Sequence, residues 1–136
     1  MGTKVVCGLI LKNDRVLAAL RKEPMSNAGY WELPGGKVKD NETEIDALKR
    51  ELKEEFNIDA EVHQFFTENT FDYQTGSILL KAYWCYSKSN NFIPMEHERA
   101  VWLSSQDLFS INWTPADVPI VERLEMELSG RTEWDK

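Results

Sequence analysis

The sequence predicts an α/β protein, an α/β/α sandwich with a mixed β-sheet between helices. Three observations carry that prediction. Apolar runs with strand character occupy residues 4–11, 15–20 and 77–86. An internal amphipathic helix repeats Ile45, Leu48, Leu52 and Phe56 at helical spacing, which marks the stripe expected to be buried. A final helix places Ile120, Val121, Leu124 and Leu128 on one face. Two helices with one apolar stripe each find their burial on opposite faces of a sheet. With 136 residues and no repeat, linker or low-complexity tract, one domain spanning 1–136 is expected.

The elements follow in order. Residues 4–11 (KVVCGLIL) read as a buried strand, Asn13-Asp14 as the turn, and residues 15–20 as the returning strand that delivers Arg21 at its end. Pro24, Asn27 and Gly29 make 22–30 a loop, placed to wall a pocket. Trp31-Glu32-Leu33 is a short strand and Pro34-Gly35-Gly36 a turn, whose glycines let the backbone approach a ligand or ion without a Cβ in the way. The helix starts near 41–43, where Thr43 with Asp46, or Asn41 with Glu44, can supply the cap. Residues 58–71 are strand-like but alternate poorly after Val62, and 72–76 read as a hairpin turn. Residues 77–86 (SILLKAYWCY) carry the strongest strand signal. Glu96-His97-Glu98 precede a short strand, 99–103, with Trp102, and Ser104-Ser105 cap a helical turn through Leu108. Thr114-Pro115-Ala116-Asp117 open the last helix, and 130–136 are expected to fray.

Composition narrows the function. A net charge of −7 argues against a nucleic-acid polymer as partner, because phosphate backbones are bound by basic surfaces. No apolar run is long enough to cross a membrane, and the N-terminus has no signal-peptide pattern. Cys7 and Cys85 lie in apolar runs and read as reduced core thiols of a cytoplasmic protein. No Cys/His spacing suggests zinc.

Chemistry concentrates between Gly35 and Ile58. Glu51, Glu54 and Glu55 fall within an arc of roughly 100° beside the apolar stripe of the helix. Carboxylates so close repel one another, and a divalent cation turns that repulsion into binding; Mg²⁺ prefers such oxygen donors together with waters and phosphates. The plainer alternative is a solvated acidic face with Lys49, Arg50 and Lys53 interleaved. Arg50, on the flank next to Glu54, can hold the carboxylates in place through charge-assisted hydrogen bonds.

The flanking residues decide between these readings. Gly36, Glu42, Arg50, Glu51, Leu52, Glu54, Glu55 and Ile58 fit the pattern G-x5-E-x7-R-E-U-x-E-E-x-G-U, with U aliphatic, and the sequence thereby resembles the Nudix hydrolases. Asn57 stands where the family usually has Gly. The position closes the helix in a left-handed conformation, for which Asn is the next best residue. The resemblance implies hydrolysis of a nucleoside diphosphate linked to another group, a small-molecule nucleotide substrate, and Mg²⁺ as cofactor with Mn²⁺ able to substitute. It favours Thr43 as the cap, which leaves Glu42 free to reach the ion site or Arg50. It also implies metal ligation by Glu51, Glu54, Glu55 and the Gly35 carbonyl.

Residues outside the motif are assigned by resemblance to the MutT-like subgroup, which converts nucleoside triphosphates to the monophosphate and pyrophosphate. Arg21 is expected near the substrate, against the alternative of an ordinary surface arginine. Glu96, six residues before Trp102, is expected to be a further metal and catalytic carboxylate, ahead of Glu98; Glu51 and Glu96 compete for the role of base. Asp117, at the start of the last helix, is expected to read the base, as in the CTP pyrophosphohydrolase branch, against the alternative of a helix cap. A carboxylate accepts from cytosine N4, which favours (d)CTP or a modified pyrimidine triphosphate. It also suits guanine N–H groups, so hydrolysis of 8-oxo-dGTP is the alternative. A non-catalytic nucleotide-binding regulator is the other class, disfavoured because every glutamate of the motif is present. Monomer and homodimer stay open.

Overall fold

The structure is a computed structural model and describes residues 2–23, 27–73, 76–88 and 99–134. Glu96, His97 and Glu98 lie outside the described residues. The elements run β1 (Thr3–Lys12), β2 (Arg15–Leu20), β3 (Trp31–Glu32), β4 (Gly35–Lys37), α1 (Glu44–Phe56), β5 (Ala60–Tyr73), β6 (Gly76–Ser87), β7 (Arg99–Ser104), a 3-10 helix (Ser105–Ser110) and α2 (Val118–Trp134). The expected mixed sheet is present: strand order is β3-β2-β1-β6-β5, with β4 paired to β1 and β7 to β2. Among the strands of the described residues only β1 and β6 run parallel, from Thr3↔Ile78 to Ile10↔Cys85.

The period-2 pattern of the strands sends side chains alternately to two cores. Val6 and Ile10 of β1, Leu17 and Ala19 of β2, and Cys85 of β6 pack on one face with Leu48, Leu52 and Phe56 of α1. Cys7, Leu9, Val16, Ala18, Leu80 and Ala82 pack on the other face with Ile120, Val121, Leu124 and Leu128 of α2. Each large apolar side chain so buried contributes about 1.5–3 kcal/mol, which fixes both helices to the sheet. Cys7 and Cys85 are buried and free of any disulfide, as expected of core thiols. Among the described residues no helix is long and apolar enough to cross a membrane.

Several expectations are corrected. Ile45 is 40% exposed, and Ala47 takes its place in the stripe beside Leu48. Pro34-Gly35-Gly36 is not a turn. Gly35 and Gly36 belong to β4 and pair with Cys7 and Val6 of β1. The glycines serve close approach: a Cβ on Gly35 would sit 1.9 Å from the Val6 carbonyl oxygen, and one on Gly36 would sit 2.3 Å from the Glu51 carboxylate. The poor alternation after Val62 has a cause, since β5 shifts register against β6 between Val62 and Phe65 and again before Thr67. Asp72 and Tyr73 extend β5 rather than forming the turn, pairing with Ser77 and Gly76. Ser104 precedes the 3-10 helix but donates its hydroxyl to the Asp107 carboxylate instead of capping a backbone N–H. The tail expected to fray from 130 is helical through Trp134.

Both ends of α1 are capped. The Thr43 hydroxyl accepts from the Asp46 N–H at 3.1 Å, the expected cap, and Asn57 adopts φ 55°, ψ 33° while its N–H donates to the Leu52 and Lys53 carbonyls. Glu44 in the first turn ties the helix to the sheet, accepting from Lys4 and Lys81 at 3.1 Å each and from the Tyr83 hydroxyl. Burial disfavours ionisation of Glu44, yet these three donors outweigh it and hold the carboxyl at about 2.

Candidate active site

Strand β4 and helix α1 meet at Arg50. Its Nε donates to Glu42 Oε2 at 2.7 Å and its Nη2 to Glu42 Oε1 at 3.0 Å. Nη1 reaches Glu51 Oε1 at 2.8 Å and Glu54 Oε1 at 3.1 Å, and Nη2 also donates to the Lys37 carbonyl at 3.1 Å. One guanidinium therefore orders three carboxylates and the end of β4. The hydrogen bonds from Arg50, followed by the one from the Lys39 N–H, pull the Glu42 carboxyl down to about 2. The Glu42 contact also raises the Arg50 guanidinium further above its already high range.

A cleft of about 900 Å³ opens beside this cluster. That is the size of a small-molecule site, for which roughly 300–1,000 Å³ is usual. Glu51 and Glu55 line one end with Gly35, Gly36, Lys37 and Lys39; Arg21, Asn27, Glu32, Leu33, Tyr73 and Asp117 line the other, over a floor that includes Val5, Cys7 and Leu80. Five of the sequence-derived candidates, Arg21, Gly35, Glu51, Glu55 and Asp117, thus share one cavity although they come from four separate segments. Arg50 and Glu54 are not on its lining. Glu54 keeps 55% of its side-chain surface exposed and leans on Arg50.

The acidic end has the donor chemistry of a hard-cation site. Glu51 is 14% exposed in its side chain, its Oε1 is bound by Arg50, and its Oε2 accepts nothing from the described residues while lying over the Cβ-less Gly36. An orphaned carboxylate oxygen in a half-buried position suits a cation or a proton donor. Among the described residues no three His, Cys, Asp or Glu side chains converge into a ready-made set. Glu51 and Glu54 instead share Arg50, and a cation would compete with that guanidinium for Oε1 of each.

The other end is built differently. Backbone bonds join Trp31 to Asn112 and Thr114, so β3 and the entry to α2 lie side by side. Asn69 of β5 donates its amide to the Ala116 carbonyl at 3.1 Å and braces the same segment. Asp117, 6% exposed, accepts from the Leu33 N–H at 2.7 Å and from the Thr114 hydroxyl at 2.9 Å. Neither partner is an N–H of α2, so the carboxylate ties the helix entry to β3 and does not cap its own helix. Burial outweighs those two bonds and raises the Asp117 carboxyl to about 7, with the charge of Glu32 pushing the same way. Arg21 pairs with Glu32 at 2.6 Å, both being more than four-fifths buried in their side chains.

Glu32, Tyr73 and Lys39 line the cleft without having been singled out in the sequence, and Cys7, expected as a core thiol, lines it as well. Glu32 flanks the glycines on a strand, so its position was readable. Tyr73 was hidden inside the expected turn.

Comparison with known proteins agrees with this geometry. The family model described as NUDIX domain matches residues 2–124. A CTP pyrophosphohydrolase of Escherichia coli (strain K12) is 32% identical over 119 residues, covering 88% of each chain. A putative 8-oxo-dGTP diphosphatase 2 of Mycobacterium tuberculosis (strain ATCC 25618 / H37Rv) is 35% identical over 127 residues, 93% of this chain and 90% of that one. The solution structure of the E. coli ORF135 protein superposes with a TM-score of 0.82 at 30% identity, covering 95% of this chain and 92% of that one. A DNA mismatch repair protein MutT (family Nudix hydrolase) from methicillin-resistant Staphylococcus aureus 252 gives 0.73 at 39% identity, covering 93% and 98%.

Proposed function

This chain belongs to the Nudix family and hydrolyses pyrophosphate bonds of nucleotides, and from that premise we propose that its substrate is a nucleoside triphosphate, cleaved to the monophosphate and pyrophosphate, with (d)CTP or a modified pyrimidine triphosphate favoured. The observation that carries the reading is the cleft with Glu51 and Glu55 at one end and the Asp117 carboxyl at the other. Phosphates belong at the first end and the base at the second. The likeness to a CTP pyrophosphohydrolase supports the choice of base.

A divalent cation, Mg²⁺ or Mn²⁺, held by Glu51, Glu54, Glu55 and the Gly35 carbonyl would supply charge neutralisation of phosphate oxygens and activation of water. Arg50 holds Glu51 and Glu54 in register through charge-assisted hydrogen bonds. Glu51 is the proposed base, because its Oε2, which accepts no hydrogen bond from the described residues, faces the glycine strand and can take a proton from water. Glu96 keeps its proposed part as a further metal and catalytic carboxylate, with Glu98 as its rival. Arg21, steadied by Glu32, is a proposed contact to the nucleoside. Asp117 accepts from an exocyclic amino group such as cytosine N4.

A second reading, hydrolysis of 8-oxo-dGTP, is favoured by the relative named for that activity, and guanine N–H groups also suit an acceptor. A panel of canonical and oxidised triphosphates with Mg²⁺ separates the two. CTP or dCTP is expected to give the highest kcat/KM, with pyrophosphate and the monophosphate as first products. Orthophosphate plus a nucleoside diphosphate as first products overturns the reading. A shift in Tm with nucleotide but no turnover would be the behaviour of a binding module.

A further inference from the structure

The β1–β2 hairpin carries a second cavity, of about 380 Å³, lined by Lys12, Asn13, Arg15 and Trp102. It shares no lining residue with the cleft. Lys12 stands five residues beyond Cys7 of the cleft floor, about 16 Å along the strand. The backbone builds the site. Asn13 and Asp14 have φ of 52° and 61°, the positive values that a tight two-residue turn needs. The turn sets Lys12 opposite Arg15, while β7 sets Ser104 opposite Arg15 and Trp102 opposite Leu17. Alternation then sends Lys12, Arg15 and Trp102 to the face that Ile10 and Leu17 share with α1. The Lys12 ammonium lies over the Trp102 indole, 5.9 Å from the ring centroid.

Two cations directly opposite each other on paired strands repel and weaken the hairpin. Elsewhere in the molecule a carboxylate relieves each such charge: Lys4, Lys81, Arg21 and Arg50 all pair with glutamates. Among the described residues Lys12 and Arg15 pair with none, although acidic side chains outnumber basic ones 23 to 16 and Asp14 lies in the turn between them. The indole holds Lys12 in place but brings no net charge to neutralise it. A phosphate group answers the arrangement. It carries about −1.5 to −2 charges at pH 7, enough for both cations, where one carboxylate would answer only one. The guanidinium offers a planar fork of N–H groups and the ammonium three further donors. We infer that the β1–β2 hairpin holds an anion site, separate from the cleft, in which Lys12 and Arg15 bind the phosphate group of a phosphomonoester or of inorganic phosphate. Because Lys12 already lies over the indole, Trp102 orients the ammonium and does not stack a base.

The test uses binding, which does not depend on turnover. Inorganic phosphate and CMP are titrated calorimetrically into the whole protein at low salt, with EDTA to keep divalent cations out of the cleft. Saturable binding of both, with similar affinity, is the expected result, since the phosphate group carries the recognition. Lys12→Gln and Arg15→Gln should each weaken it about fivefold, the worth of one charged contact at an open site. The double variant should lose it, Lys12→Arg should keep it, and added salt should weaken it in the wild type. Nucleotide turnover with Mg²⁺ should be the same in all four variants as in the wild type. No saturable binding by the wild type, or equal affinity in the wild type and the double variant, overturns the inference. A loss of turnover in step with the loss of phosphate affinity would assign the anion to the cleft and overturn it as well. CMP binding far more tightly than phosphate, with the excess lost in Trp102→Leu, would overturn the part given to Trp102.

Discussion

Beside one end of the cleft Glu51 and Glu54 share a guanidinium at 2.8 and 3.1 Å; at the other, among the described residues, Asp117 accepts from a backbone N–H and a hydroxyl, at 2.7 and 2.9 Å. All three are carboxyls, and all accept hydrogen bonds of 2.7–3.1 Å from the protein, but the electrostatic setting is opposite. Arg50 supplies a full charge at the cleft's edge, and its Glu42 partner is drawn to about 2. Asp117 receives neutral donors in a buried place, and its carboxyl rises to about 7. A group meant to meet cations must stay anionic at every working pH. A group meant to meet a base needs only the right donors and acceptors, and tolerates being close to half protonated. Hydrogen-bond count alone does not distinguish the two; the charge of the donor and the depth of burial do.

The largest expected effect breaks the acidic end. Glu51→Gln keeps the shape and removes the charge, and kcat at saturating Mg²⁺ should fall by about 100-fold or more. Glu54→Gln should do the same if Glu54 turns from Arg50 to a cation. If Glu54→Gln retains more than about a tenth of the rate while Glu51→Gln does not, Glu54 belongs to the Arg50 clasp alone; loss of a positioned catalytic group costs roughly 100-fold.

The next effect is at the base end. Asp117→Asn preserves size, and its amide oxygen can still accept from Leu33 while its NH₂ donates to the Thr114 hydroxyl. Selectivity should move instead: kcat/KM for (d)CTP should fall relative to 8-oxo-dGTP by about 5- to 150-fold, the worth of one polar base edge. Assays of both proteins on both nucleotides decide it, and equal losses on every substrate would make Asp117 a tie between α2 and β3 with no part in reading the base.

The smallest effect is on stability. The Asp117 carboxyl is raised from 3.8 to about 7 in the folded protein, so the native state holds its proton where the unfolded chain has released it. That contribution is fully present below pH 3.8 and is lost as the pH rises through about 7. Tm measured from pH 4 to 8 should therefore decline less in Asp117→Asn than in the wild type. Identical slopes would mean that the buried carboxyl titrates normally.

The legible part of this molecule is the part whose partners are close in sequence. The α1 cap at Thr43, the left-handed Asn57 and the Arg50 contacts to Glu51 and Glu54 involve residues one to five apart. Helical geometry relates such residues directly, so a linear pattern encodes them. The two-faced sheet was expected for the same reason, since the apolar stripes of the two helices that cover it are local patterns.

Other features depend on what a segment meets after folding. Ile45 fits the helical stripe, yet the sheet meets α1 along Ala47, Leu48, Leu52 and Phe56, so Ile45 faces outward. The two register shifts of β5 arise in its pairing with β6, a partner distant in sequence for most of the strand.

The sequence by itself determined the acidic helix, its caps, the family and the residue types able to hold a cation, because each is written in spacings of a few residues. Only the tertiary structure decided that Gly35 and Gly36 form a strand, pressed on Val6 and Cys7 and leaving space for Glu51. It alone brought Leu33 to Asp117, 84 residues away, and buried that carboxyl until it titrates near neutrality. The physical reason is that burial and long-range hydrogen bonding depend on which surfaces pack together, and no local periodicity carries that information.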